Sequence, residues 1–201
     1  MVLIDVQKAF DTVDQDILCE ELRAMCVGSV DWFHSYLTNR RQLTDVNGTY
    51  SDWGDISCGV PQGSILGPLL YLCYVNDIQI SVNCKMMLYA DDSVLLVRGK
   101  DPDIISTLLG TNLQSCNQWL VDNKLSMLFG KTECILFGPK RKLKEVENFS
   151  VECDEHTIQS VKCVKYLGLD LDQSLTGATT VNNIVKVTGS RLKLLYRRVI
   201  F

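Results

Sequence analysis

Met86-Met87-Leu88-Tyr89-Ala90-Asp91-Asp92-Ser93-Val94-Leu95-Leu96-Val97 is the stretch that decides how this chain is read. Its two flanks are β-prone apolar runs, and the link Ala90–Ser93 is short enough for a tight hairpin. Two adjacent carboxylates therefore sit at the tip of an apolar hairpin. Aspartate is favoured in solvated turns, and the dipeptide alone is satisfied by that reading. Adjacent carboxylates also repel and raise one another's pKa unless a cation lies between them. A third carboxylate, Asp5, follows the short apolar run Val2-Leu3-Ile4, which reads as a buried strand. Brought together on neighbouring strand ends, the three would form a hard, oxygen-rich site suited to Mg²⁺.

Working outward, Asp14 to Cys26 carries Ile17, Leu18, Leu22 and Met25 at helical spacing, with Gly28 as the expected stop. Val30 to Leu37 predicts a second short helix with Trp32, Phe33, Tyr36 and Leu37 in the core. Residues 38–58 are polar and contain glycine, which predicts a loop and hairpin over the surface. Gly59-Val60-Pro61-Gln62-Gly63 is a turn-rich loop that leads into an apolar helix from about Ser64 to Ile80. Asp101-Pro102 starts an amphipathic helix running to about Asn123, with Ile104, Ile105, Leu108, Leu109, Leu113, Cys116 and Leu120 on its apolar positions. Cys134–Phe137 reads as a short strand and Lys140-Arg141-Lys142-Leu143-Lys144 as a basic loop. Residues 157–172 read as two strands, the second being Tyr166–Leu171. Asn182 to Phe201 reads as a helix with basic residues at Lys186, Arg191, Lys193, Arg197 and Arg198. Helices alternating with hairpin-connected strands make the class α+β.

The 201 residues suffice for one domain with a proper core. The net charge of −4 is not that of a free-standing nucleic-acid binder. It is uneven: residues 1–138 hold 9 Lys/Arg against 17 Asp/Glu, a balance of −8, and residues 139–201 hold 11 against 7, a balance of +4. An acidic body that holds cations, followed by a basic part that touches phosphates, fits that split, and so does an acidic solvated surface. The 9 cysteines are odd in number, none forms a Cys-x-x-Cys pair, and only His34 and His156 could join them at zinc. Free reduced thiols in an intracellular setting are the expectation. No basic leader precedes Val2, and the longest apolar run, Ile65 to Val75, is too short to span a bilayer and is interrupted by Gly67-Pro68.

The wording around the carboxylates adds a resemblance. Tyr89-Ala90-Asp91-Asp92 between β-prone arms resembles the catalytic hairpin of reverse transcriptases. Leu3-Ile4-Asp5-Val6-Gln7-Lys8-Ala9-Phe10-Asp11-Thr12-Val13-Asp14 resembles their first metal-binding motif. Gly59-Val60-Pro61-Gln62-Gly63-Ser64-Ile65-Leu66-Gly67-Pro68, continuing to Tyr74-Val75-Asn76-Asp77-Ile78, resembles their template-and-nucleotide motif. The three stand in the family's order, and the wording is most similar to that of non-long-terminal-repeat retrotransposon enzymes.

The resemblance implies a palm-like antiparallel sheet packed on helices over residues 1–172, truncated at its start with the fingers largely missing. It implies a partial thumb-like helical segment over 173–201. It implies RNA-directed DNA polymerase activity on an RNA or DNA template with its primer, dNTP substrates, and two Mg²⁺ ions, for which Mn²⁺ can substitute. The metals would be held by Asp5, Asp91 and Asp92 with the Val6 carbonyl. Phe10 would block a ribose 2′-hydroxyl, and Pro61, Gln62 and Gly63 would pack on the incoming nucleotide and template. Tyr89, Tyr166 and Gly168 would lie on the primer side. Lys131 would protonate departing pyrophosphate, although Phe129-Gly130 replaces the Asn-Pro-like turn usual before it. A nuclear or cytoplasmic location follows from the same resemblance. The short start also supports a second reading, a catalytically inactive retrotransposon remnant with at most weak nucleic-acid binding. An unrelated Mg²⁺-dependent phosphatase or nuclease would need another carboxylate layout.

Overall fold

A computed structural model describes residues 1–146 and 148–199, and their side chains as far as Lys193. In chain order the elements are β1 (Val2–Ile4), α1 (Gln15–Ala24), α2 (Val30–Leu37), β2 (Arg40–Gln42), β3 (Asp45–Val46), β4 (Thr49–Tyr50), β5 (Gly54–Ile56) and α3 (Leu66–Tyr74). A 3₁₀ turn, Ile78–Ser81, then leads to β6 (Lys85–Tyr89), β7 (Asp92–Leu96), α4 (Pro102–Asp122), β8 (Glu133–Cys134) and α5 (Lys140–Leu143). The chain continues through β9 (Ser150–Cys153), β10 (His156–Gln159), β11 (Cys163–Tyr166), β12 (Leu169–Asp172) and α6 (Ala178–Val199). The strands pair antiparallel, and the class is α+β.

At the centre is a four-stranded sheet in the order β6-β7-β1-β8. Its strands are mostly apolar because both faces are covered, with the charged Lys85, Asp92 and Glu133 exposed at strand ends. Val2 pairs with Leu95, and both lie in the main core with Ile4. Leu3 pairs with Val94 on the opposite face, where a smaller cluster of Val94, Ile135 and Val164 forms. The alternation of one strand thus feeds two cores. Against the main face lies α4, with Leu109, Leu113, Cys116 and Leu120 buried at helical spacing. Each such leucine contributes roughly 2 kcal/mol on burial. Asp101 caps this helix by accepting from the Asp103 amide at 3.0 Å, with Pro102 in the first turn. Asp14 caps α1 in the same way, accepting from the amides of Asp16 and Ile17 at 3.1 and 3.0 Å.

Several expected boundaries move, each for a local reason. Helix α1 stops at Ala24, because Cys26 rather than Gly28 takes the left-handed position, at φ 59°. The helix expected to run to Ile80 ends at Tyr74, where Asn76 donates to the Cys73 carbonyl and tightens the last turn. Residues 157–172 form three strands instead of two. Leu167 and Gly168, at φ 47° and 82°, fold the run Tyr166–Leu171 into the two-residue turn between β11 and β12. Helix α6 begins at Ala178, four residues early, because the Asp172 carboxylate gathers the amides of Ser174, Thr176 and Gly177 just ahead of it.

Of the α2 residues expected in the core, Leu37 is fully buried, Phe33 and Tyr36 are half-buried, and Trp32 is exposed, stacked on Tyr36 at 5.5 Å. The expectation for Arg197, Arg198, Ile200 and Phe201 lies outside the described side chains and residues. All 9 cysteines are free, and Cys19, Cys116, Cys134 and Cys153 are buried. Burial pushes the Cys116 thiol up to about 12, so it stays protonated and unreactive. No described helix is long and apolar enough to cross a membrane.

Candidate active site

The register of the central sheet builds the site. Ile4 pairs with Ser93, so one further residue sets Asp5 across from Asp92. Asp92 pairs in turn with Tyr89 on β6. Between these two, Ala90 and Asp91 make the turn, with Ala90 at φ 53°. The ends of β1 and β7 therefore bring all three carboxylates to one end of the sheet. Like charges facing each other across a strand pair are unfavourable. Burial first, then the charges of Asp91 and Asp5, push the Asp92 carboxyl above its usual 3.8.

Beyond Asp5 the chain stays tied to the loop after α4. Gln7 donates to the Ser126 carbonyl at 2.9 Å, and Leu128 donates to the Asp5 carbonyl at 2.8 Å. The Leu128 carbonyl then collects the amides of Lys131 and Thr132 and the Thr132 hydroxyl. That turn holds Lys131 opposite Asp5, with Nζ at 3.8 Å from Oδ2. In the Phe129-Gly130 that precedes it, the Phe129 ring stacks on His156 at 4.1 Å.

Asp5, Val6, Phe10, Asp91 and Lys131 line one open cleft of about 670 Å³ together with Pro61, Gln62 and Gly63. The floor is aromatic: Phe10 lies 4.6 Å from Tyr71 of α3, tilted by 30°. Tyr71 is fully buried, and burial together with the nearby charge of Asp91 raises its phenol well above the usual range. Pro61–Gly63 is held as a turn, because the Ser64 hydroxyl donates to the Pro61 carbonyl at 2.7 Å and accepts from the Gly67 amide at 2.9 Å. Gly67 permits this approach, since a Cβ there would stand 2.7 Å from the Pro61 oxygen.

Four expected positions lie apart from the cleft lining. Asp92 couples to the cleft through charge, and Tyr89 is exposed at the end of β6. Tyr166 packs in the smaller cluster behind the sheet, while Gly168 lines a separate groove between the β11–β12 turn and α6. Sequence reading missed Tyr71, hidden in an apolar helix, and Asp11, whose Oδ1 accepts from Gln62 Nε2 at 2.6 Å. The partners are 51 residues apart, and no local pattern signals the pair.

Among the described residues, no three carboxylate, thiol or imidazole groups stand close enough to cage a metal ion. The donor set still fits a hard divalent cation. It offers only oxygens near the repulsion centre, and Mg²⁺ is usually held by one or two carboxylates plus substrate phosphates instead of an all-protein cage.

Comparison with known proteins gives the family. Residues 1–171 match the family described as reverse transcriptase (RNA-dependent DNA polymerase). The chain is 27% identical over 190 residues to the RNA-directed DNA polymerase from mobile element jockey of Drosophila melanogaster, covering 90% of this chain and 20% of that protein. It is 31% identical over 186 residues to the probable RNA-directed DNA polymerase from transposon BS of the same fly, covering 87% and 20%. A Pol polyprotein from the type-1 element R2 of Popillia japonica is 24% identical over 204 residues, covering 92% and 33%. The chain spans about a fifth of the length of the first two of these. With a match over nearly its whole length, the chain belongs to the reverse transcriptase (RNA-dependent DNA polymerase) family, of the type carried by non-long-terminal-repeat mobile elements.

Proposed function

We propose that this chain is the palm-like catalytic core of an RNA-directed DNA polymerase, adding deoxynucleotides to a primer 3′-hydroxyl on a nucleic-acid template. Residues 1–172 form the core in this reading, and the segment from 173 onward is thumb-like. The supporting observation is the single cleft that joins Asp5 and Asp91 to Phe10, Lys131 and the Pro61–Gly63 turn. Asp5, Asp91 and Asp92, with the Val6 carbonyl, would hold two Mg²⁺ ions or Mn²⁺ in their place; when bound, these supply activation of the attacking hydroxyl and neutralisation of the leaving group.

The chain's own residues do the rest. Phe10, backed by the buried Tyr71, leaves no space under the sugar for a 2′-hydroxyl. Pro61, Gln62 and Gly63 form the wall against which the base pair of template and incoming dNTP rests. Lys131 stands where a cation can meet a departing pyrophosphate and hand it a proton from Nζ. Tyr89, Tyr166 and Gly168 would lie on the primer side, outside the cleft itself, with Tyr166 packed in the smaller cluster and Gly168 in the groove beside α6. Base pairing selects the base, so the protein's part is positioning and charge.

The test is Mg²⁺-dependent extension of a DNA primer on an RNA template. Asp91→Asn and Asp5→Asn should each leave under about one per cent of wild-type extension, as loss of a reacting-centre ligand does, with the circular dichroism spectrum unchanged. A mutant that keeps more than a few per cent of extension removes that carboxylate from the site. No extension by folded wild-type chain would leave the family membership standing without the activity.

A further inference from the structure

Asp11 does not line the cleft, yet the loop that does is built on it. Its carboxylate Oδ1 accepts from Gln62 Nε2 at 2.6 Å. Its carbonyl accepts from the Cys58 thiol at 3.2 Å. Gly59 packs directly on its backbone: a Cβ there would stand 2.7 Å from the Asp11 oxygen and 2.9 Å from its carbon, and φ is +87°. On either side, the Val60 amide donates to the Phe10 carbonyl at 2.8 Å and the Gly59 amide to the Val13 carbonyl at 2.7 Å. The turn after β1 and the segment 58–62 are thus laced backbone to backbone, and the Gln62 side chain is the last stitch.

The chemistry fixes more than distance. A carboxylate accepts only, so it selects the –NH₂ end of the Gln62 amide, and a flipped amide would set oxygen against oxygen. With Nε2 held by Asp11, the amide orientation is settled before any ligand arrives. A charge-assisted hydrogen bond of this kind is stronger than a neutral one. We propose that Asp11 is a positioning residue, holding the Gln62 amide in one orientation beside Phe10 so that the incoming nucleotide meets a preset group. This rests on the polymerase reading above, and Asp11 acts through Gln62 without touching the nucleotide.

Single-nucleotide extension kinetics and a nitrogen–proton spectrum of the Gln62 side-chain amide test this together. Asp11→Ala should raise KM for dNTP about tenfold while kcat falls less than about threefold, because a hydrogen bond to a charged group that orders the ground state is lost. Asp11→Asn, whose Oδ1 still accepts, should recover most of that KM. Gln62→Ala combined with Asp11→Ala should be no worse than Gln62→Ala alone. Unchanged KM in Asp11→Ala, or effects that multiply in the double variant, overturn the assignment while leaving the polymerase reading intact. If the wild-type chain extends no primer, the polymerase reading fails and the amide decides the pairing. A Gln62 –NH₂ signal displaced in wild type and returned by Asp11→Ala to that of a free glutamine supports it. A signal already like free glutamine in wild type overturns it.

Discussion

At the scale of single residues, Asp92 has a stability consequence that can be measured without substrate. Its folded pKa lies above the unfolded value of 3.8, through burial and then the charges of Asp91 and Asp5. The protonated form is therefore the one the fold favours. Stability is fully present below 3.8 and is lost as pH rises through the higher folded value, so the cost persists at neutral pH. Asp92→Asn should remove that cost and raise Tm at pH 7 by about 1–2 °C, since repulsion among partly exposed charges is worth well under 1 kcal/mol. Mg²⁺ should stabilise the wild type more than this variant. A lower Tm for Asp92→Asn in metal-free buffer would mean that the carboxylate makes a favourable contact instead. The gathering of Asp5, Asp91 and Asp92 at one end of the sheet was legible in the sequence because Asp5 follows one apolar run and Asp91-Asp92 stand between two others. Asp11 and Tyr71 were not, because one is defined by a partner far along the chain and the other looks like any apolar helix residue.

At the scale of elements, the sequence located most helices and strands but could not say which positions one element presses against another. Gly110 lies inside α4, where a sequence reading sees only a weak helix former. A Cβ there would meet the Glu152 carbonyl of β9 at 2.6 Å. The helix and the strand thus touch backbone to side-chain-free backbone. Gly110→Ala should cost about 2–4 kcal/mol in urea unfolding, although alanine gains about 1 kcal/mol of helix propensity, because overpacking a contact between two rigid backbones wins. Gly28→Ala is the control: nothing lies within 4 Å of its Cβ position, and its φ is not left-handed. It should be neutral or slightly stabilising. Equal costs at the two glycines would show that helix–strand contact at Gly110 gives way easily. The same blindness explains the misread run Tyr166–Leu171. Its alternation suits a strand, and only Gly168 hints that the chain turns back there.

At the scale of the whole molecule, the two regions that frame the cleft are tied together at its rear. The Tyr74 hydroxyl donates to the Asn123 carbonyl at 2.6 Å and accepts from the Asp14 amide at 3.3 Å. Beside it, Lys124 Nζ lies 2.6 Å from Asp14 Oδ2, across 110 residues of chain. The start of α1 and the end of α4 are thereby joined, and α4 leads into the turn that carries Lys131. Burial alone would raise the Asp14 carboxyl, but its hydrogen bond to Lys124 and those from the Ile17 and Asp16 amides outweigh burial and bring it below 3.8. The same bond and the Asp14 charge raise Lys124 above 10.5. A depressed carboxylate contributes stability that is present above its unfolded pKa and lost as pH falls through the folded one. A raised lysine contributes stability that is present below its unfolded pKa and lost as pH rises through the folded one. The tie should therefore be constant across neutral pH and fail at the two extremes. Lys124→Met should lower stability at pH 7 by a measurable amount, and the gap from wild type should close as the pH is brought below 3.8 in urea titrations. A gap that stays constant down to acid pH would show that Lys124 acts by packing its stem and not by pairing with Asp14.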